Sequence, residues 1–408
     1  MRGSHDRIIT SHVGSLPRPN DLIEANRKRE QRESVDEQAF QALLQTAVTD
    51  VVRREKEVGI DVPNDGEFGK SMGHAVNYGA WFSYAFRRLS GLQLENPPDV
   101  PPRPANPGDL SVAGFLRRRD RAKFAAAYND PNSGITTGAR PIVRPVCIGP
   151  VKYIGQDAIQ ADIAHFKAAL KANGVEEGFM SAIAPGSIGR LGNAYYKTDD
   201  EFLFACADAM REEYKAIVDA GLILQLDDPG IAENWDQVVP EPSVEAYKRF
   251  TMLRVDALNQ SIRGLPEDRI RFHLCWGSWH GPHTTDLPMR DLVDVMLAIN
   301  AGAYLFEAGN VRHEHEWEVW ESVKLPAHKL ILPGVVSHAT NVVEHPDLVA
   351  QRIMRFTNLV GRERVIASTD CGLGGRIHPD IAWAKLEALA QGARVASRKL
   401  WGVSAKSA

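Results

Sequence analysis

The chain has 408 residues, 44% hydrophobic and 25% charged, an ordinary globular composition long enough for a single α/β barrel with insertions. Its 48 basic and 52 acidic residues leave a charge of −4 with no long run of either sign, which argues against a nucleic-acid or membrane partner. The absence of a bilayer-length apolar stretch or a signal-peptide core, and four cysteines too sparse for a disulfide framework, point to a reducing cytoplasm.

The first apolar segment, RIITSHVGSLPRP, runs into a turn carrying His12, Gly14 and Ser15. Those residues offer backbone and hydroxyl groups to a carboxylate, or form a plain turn. GIDVPNDGE reads as the first barrel strand and ends on Asp65-Gly66-Glu67. Residues 71–140 then break the rhythm with an aromatic patch (NYGAWFSYAF), the proline-dense NPPDVPPRPANPG and the charged FLRRRDRAKFAAAY. Proline at that density blocks regular elements, so this stretch is an insertion, either a lid-like segment or a structural or oligomer contact. RPVCIGP reads as the second strand. From there GFMSAIAPG, GLILQLDDPG, RIRFHLCWG, AYLFEAGN, KLILPGVVSH and RVIASTDCG alternate with helical patterns near 200–220, 243–264, 288–301 and 342–361. The chain closes on an amphipathic helix, HPDIAWAKLEALAQGARVASRKLW.

Strands alternating with helices imply a parallel sheet, and the unit count implies an α/β fold of the (β/α)8 barrel type. That barrel is expected to occupy residues 1–408 as one domain, with RIITSHVGS outside the closed ring, across its mouth. An open doubly wound sheet is the alternative, but no GxGxxG follows an early strand.

Four side chains at strand ends carry the chemistry: His273 and Cys275 in HLC, Glu307 in FEAGN and Cys371 in TDCG. Residues two apart on a strand share a face, so His273 and Cys275 can reach one ion. One imidazole, two thiols and a carboxylate at the same barrel mouth suit tetrahedral Zn2+. Asp227 and Asp228 end another strand and, with Glu67, either hold a substrate ammonium or cap the following helices. His338 ends KLILPGVVSH as a general acid or as a supporting histidine. Trp276, Trp279, His280 and His283 lie around the mouth. The VRHEHEWEVW run reads as a solvated or subunit-facing helix, since its alternating side chains splay apart.

In the order HVGSLPRP, DGE, QLDDP, HLC, FEAGN, PGVVSHATN and TDCGL, these motifs resemble the catalytic barrel of the cobalamin-independent methionine synthase family. The resemblance implies zinc on His273, Cys275, Glu307 and Cys371, and a homocysteine held by Ser15, Glu67 and Asp227. It implies His338 as a proton donor, and methyl transfer from the N5 of a methyltetrahydrofolate to the thiol. His12 and Trp276 join the expected substrate-binding set and Asp228 the catalytic one, although Asp228 stands where the family has Glu. The second, N-terminal barrel of the long members is absent from this sequence. Epoxyalkane:coenzyme M transferases share the zinc chemistry, so a different thiol or alkyl donor, including demethylation of another methyl donor, is the first alternative. A non-catalytic zinc- or thiol-binding protein is the second. The expected partners are a small-molecule thiol and an alkyl donor, with a homo-oligomer left open.

Overall fold

The structure is a computed structural model that describes residues 1–74, 77–135 and 144–402; positions 75–76 and 136–140 of the expected insertion lie outside the described residues. Seven parallel strands form the main sheet: β1 (Ile9–Thr10), β2 (Phe179–Ile183), β3 (Ile223–Asp227), β4 (Ile270–His273), β5 (Ala303–Glu307), β6 (Leu330–Val336) and β7 (Ile366–Thr369). Their order across the sheet is β1-β7-β6-β5-β4-β3-β2. The sheet is curled, and one segment, residues 60–64, bridges its two edges. Asp61 and Val62 donate backbone N–H to the Thr10 carbonyl, each at 3.1 Å, and Phe179 donates to the Pro63 carbonyl at 3.0 Å. Ile9, Val62, Phe179, Ile223, Leu305, Leu332 and Ile366 meet in a small buried cluster, separate from the main core.

The helices cover the other face of the strands. In the Pro346–Val360 helix, Val349, Ile353, Phe356 and Val360 recur at helical spacing and are all buried. Each such side chain removed from water contributes about 1.5–3 kcal/mol. Proline at the first turn starts this helix, and the His345 side chain accepts the Asp347 N–H. The Asp199–Asp219, Val244–Ser261 and Pro379–Trp401 helices also fall where the periodicity predicts them. The 288–301 pattern is interrupted, as a single 3-10 turn (Met289–Asp291) and the five-residue Val293–Leu297.

The early part of the chain corrects three expectations. RIITSHVGS does not lie outside the ring: Ile9 and Thr10 pair with Ile366 and Ala367, and Ile9 packs into the small cluster. Two residues of pairing leave too little alternation to read from sequence. GIDVPNDGE forms no continuous strand and pairs by a single bridge, Asn64 with Phe179. RPVCIGP leaves the main sheet, and Val146–Cys147 joins Leu92–Gln93 and Gly192–Asn193 in a separate three-stranded sheet. The Pro-dense stretch after Gln93 has no helix or strand before Ser111, as proline's missing donor dictates. The HEHE run is not wholly solvated either. His313 and Glu316 are buried, joined at 3.0 Å, and His313 reaches Asp286 at 3.2 Å, while His315 is exposed. Satisfying three buried titratable groups together is what draws that turn inward.

Candidate active site

Parallel strands bring their C-terminal ends to one side, where β3 delivers Asp227, β4 delivers His273 with Cys275 two residues beyond, and β7 leads into Asp370-Cys371. His273, Cys275 and Cys371 each offer one donor atom within 4.8 Å of the others. The two sulfur atoms are 3.9 Å apart. Asp227 Oδ1 lies 3.0 Å from His273 Nδ1 and the Asp370 carbonyl lies 3.3 Å from Nε2, so a ligand taken at Nε2 would replace that second contact while Asp227 keeps the ring oriented. Burial favours the neutral His273 ring, but the Asp227 bond outweighs it and raises the imidazole above its ordinary value. Cys371 is brought down to about 7 by the Cys275 thiol beside it, with Arg376 and His273 also favouring the thiolate; Cys275 is pushed well up by the same contact.

These three line a cavity of about 1660 Å³, together with Ser15, Glu67 and Asp227. Glu67 sits at φ 60°, a conformation few non-glycine residues adopt, which turns its carboxylate inward. The Ser181 hydroxyl donates to Glu67 Oε1, and Lys70 Nζ lies 3.2 Å from the same oxygen. Burial alone would raise this carboxyl, but Lys70, Ser181 and Arg18 hold it below the usual range. Asp227 Oδ1 also receives Gln225 Nε2 at 2.8 Å, and Gln225 is held in turn by Arg271 at 2.8 Å. The buried Arg271 reaches Ser11 Oγ at 3.0 Å and the His12 carbonyl at 2.9 Å, which ties β1, β3 and β4 together beneath the site.

The remaining expected residues stand behind this wall. Glu307 accepts the Trp276 N–H at 3.0 Å and an Asn310 amide hydrogen, and its carboxylate groups with His338 and Asp370 within 4.8 Å. Asp370 Oδ1 in turn accepts the Ala308 and Gly309 N–H groups at 2.8 and 2.9 Å. His338 is buried, its Nδ1 makes no hydrogen bond, and burial together with Arg376 and His280 keeps its imidazole well below its ordinary value. Asp228 turns toward the Gly230–Glu233 helix, accepting Ser187 Oγ–H at 2.8 Å and Gly230 N–H at 3.1 Å; burial raises it to about 6. His12 packs against Glu55 at 2.6 Å and accepts the Gly14 N–H at 3.2 Å, so it shapes the turn that presents Ser15. The Trp276 indole is buried on His313 at 4.2 Å and donates to the Leu287 carbonyl at 2.7 Å; Trp279 and Trp81 line the cavity instead.

Four contributors escaped the sequence reading: Lys70, Ser181, Gln225 and Arg271. Gln225 and Arg271 precede Asp227 and His273 by two residues, so strand periodicity places each pair on one face. Arg376 escaped as well. It lines the cavity, donates to Ser278 Oγ and the Gly374 carbonyl, each at 2.9 Å, and pairs with no carboxylate among the described residues.

The family model described as the catalytic domain of cobalamin-independent synthase matches residues 136–394. A methionine synthase of Thermococcus kodakarensis is 22% identical over 397 residues, covering 96% of this chain and 94% of that protein. A 2-hydroxypropyl-CoM lyase of Xanthobacter autotrophicus is 23% identical over 432 residues, covering 98% of each. Among solved structures, a B12-independent methionine synthase from Shewanella sp. W3-18-1, in complex with selenomethionine, superposes with a TM-score of 0.66 at 18% identity, covering 97% of this chain and 100% of that one.

Proposed function

The chain belongs to the cobalamin-independent synthase catalytic-domain family, and from that premise we propose that it is a zinc-dependent enzyme that transfers a methyl group to a thiol, taking it from a methylated folate and giving it to homocysteine. The observation that carries this reading is the pair of sulfur atoms. Two cysteine sulfurs each about 2.3 Å from a tetrahedral zinc lie about 3.8 Å apart; Cys275 and Cys371 are 3.9 Å apart, with His273 within 4.8 Å of both. Glu307 completes the ligand set in this reading, by exchanging its bonds to Trp276 and Asn310 for the metal. Zinc held there would act as a Lewis acid that keeps a substrate thiol deprotonated at neutral pH.

The residues around it have distinct tasks. Asp227 fixes the His273 ring through Nδ1 and shares the cavity wall with Glu67, so the two carboxylates can hold an ammonium group. Ser15 offers a hydroxyl from the opposite turn. His338 passes a proton to the departing nitrogen in this reading; because burial keeps its ring neutral, it would do so as a relay, releasing a proton from one ring nitrogen as the other takes one up. Asp228 supports the β3 end rather than touching substrate. Residues 60–64 complete a (β/α)8 barrel by joining β1 to β2, and the described part of the insertion, from which Pro98, Pro101, Pro102 and Pro104 line the cavity, acts as its lid. We place the enzyme in the cytoplasm, with small-molecule substrates.

One relative, named for a lyase of a coenzyme M adduct, covers the same length. It supports a second reading, in which the same thiol chemistry serves another electrophile such as an epoxide. Zinc-loaded protein incubated with homocysteine or coenzyme M, each against methyltetrahydrofolate, a methylsulfonium compound and an epoxyalkane, separates these readings by product mass. Methionine formed from the folate supports the first, an alkylated coenzyme M supports the second, and no S-alkyl product from any pair contradicts both.

A further inference from the structure

On one side of the cavity, a single carboxylate is shared by two guanidinium groups. Glu233, at the end of the Gly230–Glu233 helix, is paired through Oε1 with Arg118 and through Oε2 with Arg190 at 2.7 Å. Arg144 lines the same cavity and forms no ion pair with a described carboxylate. Its guanidinium is brought down to about 10 by burial and by Arg190 and Arg118, which places it in their positive field. Arg118 has a side chain with no exposed surface and lies 3.8 Å over the Trp279 ring. Its Nε and Nη1 make no hydrogen bond, although Asp236 lies 3.7 Å from Nη1. Arg144, Arg190 and Glu233 all line the cavity. Cations removed from water without full compensation are costly, and an anion entering from the cavity offsets that cost.

The cluster adjoins the sulfur site. Gly277 donates its N–H to Cys275 Sγ at 3.2 Å and has φ +98°, and a Cβ there would lie 3.3 Å from Glu233 Oε1 and 2.3 Å from Trp279 Cζ3. Only glycine lets the Cys275 loop approach Glu233 so closely. A molecule reaching from the arginines to Cys275 can therefore be short.

We propose that Arg144 and Arg190, backed by Arg118, form an oxyanion subsite that holds a carboxylate, sulfonate or phosphate carried by one of the two substrates, with that substrate's reacting end at Cys275 and Cys371. Planar guanidinium forks match such oxyanions through paired hydrogen bonds. The subsite rests on reading this cavity as the substrate chamber, but it requires neither zinc nor turnover.

The test is calorimetric titration of the full chain, metal-free and zinc-loaded, with inorganic phosphate, malonate and methanesulfonate at low ionic strength. Saturable binding of at least one anion is expected in both metal states. Arg144→Gln should weaken it about tenfold, the worth of one charge-assisted contact. Glu233→Gln should tighten it, because the competing carboxylate is gone. Opposite signs from two neighbouring substitutions are not what a general loosening of the fold produces, and Glu233→Gln is informative even if Arg144→Gln folds poorly. If homocysteine displaces the anion, the thiol carries the oxyanion group; if it leaves binding unchanged, the donor does. No saturable binding of any of the three anions, or equal effects of both substitutions, overturns the subsite. Anion binding without thiol alkylation would instead leave the subsite standing while the proposed reaction falls.

Discussion

Replacing Glu67 with Gln tests how the cavity reads its thiol. The carboxylate has one oxygen engaged by Lys70 at 3.2 Å and by Ser181, and its other oxygen makes no hydrogen bond to a described residue. An amino-acid ammonium would therefore find a negative charge with a vacant acceptor, in the cavity that Asp227 also lines. Glutamine keeps the shape and can still accept the Ser181 hydroxyl, but it leaves Lys70 without its counter-ion and facing the incoming cation. Losing one partner of a buried charge pair costs about 2–5 kcal/mol in binding, roughly thirtyfold or more in Kd. Homocysteine should weaken by that much in calorimetric titrations of the zinc-loaded protein. Its analogue lacking the amino group, 4-mercaptobutyrate, should change by less than about threefold, since only an ammonium gains a charge-assisted bond there. The same substitution should lower stability most above pH 5. The folded carboxyl lies below its ordinary value, so its contribution is full above the unfolded value of about 4.3 and is lost as pH falls through the folded one. Equal weakening of both thiols would refute ammonium recognition by Glu67.

Three further outcomes follow from the same geometry. Cys371→Ser should lose most of the bound zinc in metal analysis while far-UV circular dichroism stays unchanged, because its sulfur meets Cys275 and little of the core. Arg271→Met removes hydrogen bonds to Gln225, Ser11 and the His12 carbonyl, and should cost about 3 kcal/mol, or about 3–4 °C in Tm for a chain of this length. An unchanged Tm would show that the network beneath the site carries no load. His313 is favoured neutral by burial, but its bonds to Asp286 and Glu316 raise it to about 10. The stability this adds is full below about pH 6.5 and fades as pH rises toward 10. The Tm gap between the unmodified protein and His313→Phe should accordingly be widest near pH 6 and narrow steadily; a constant gap would contradict a charged His313.

The sulfur site was legible because strand periodicity is rigid. His273 and Cys275 share a face by spacing alone, and TDCG places Cys371 just past the end of its strand. What spacing cannot convey is rotamer and company. Glu307 sits at the expected strand end, yet its carboxylate turns to the Trp276 N–H and Asn310, and Trp276 is buried on His313 while Trp279 takes the cavity wall. The first third of the chain was hardest to read. Its contributions to the sheet are two residues at Ile9–Thr10 and one bridge at Asn64, too short to show alternation. Arg118 and Glu233 stand 115 residues apart, and nothing local in a charged, helix-like stretch marks one arginine for burial against an aromatic ring.

The most direct test of the central claim is X-ray absorption at the zinc edge, with and without thiol. Zinc-loaded protein should show two sulfur neighbours at about 2.3 Å, supplied by Cys275 and Cys371. Homocysteine should add a third sulfur at the same distance and displace an oxygen or nitrogen neighbour. Zinc with no sulfur neighbour would contradict the site. Two sulfurs that stay two with homocysteine, coenzyme M and every other thiol tried would contradict the claim that this metal activates a substrate thiol.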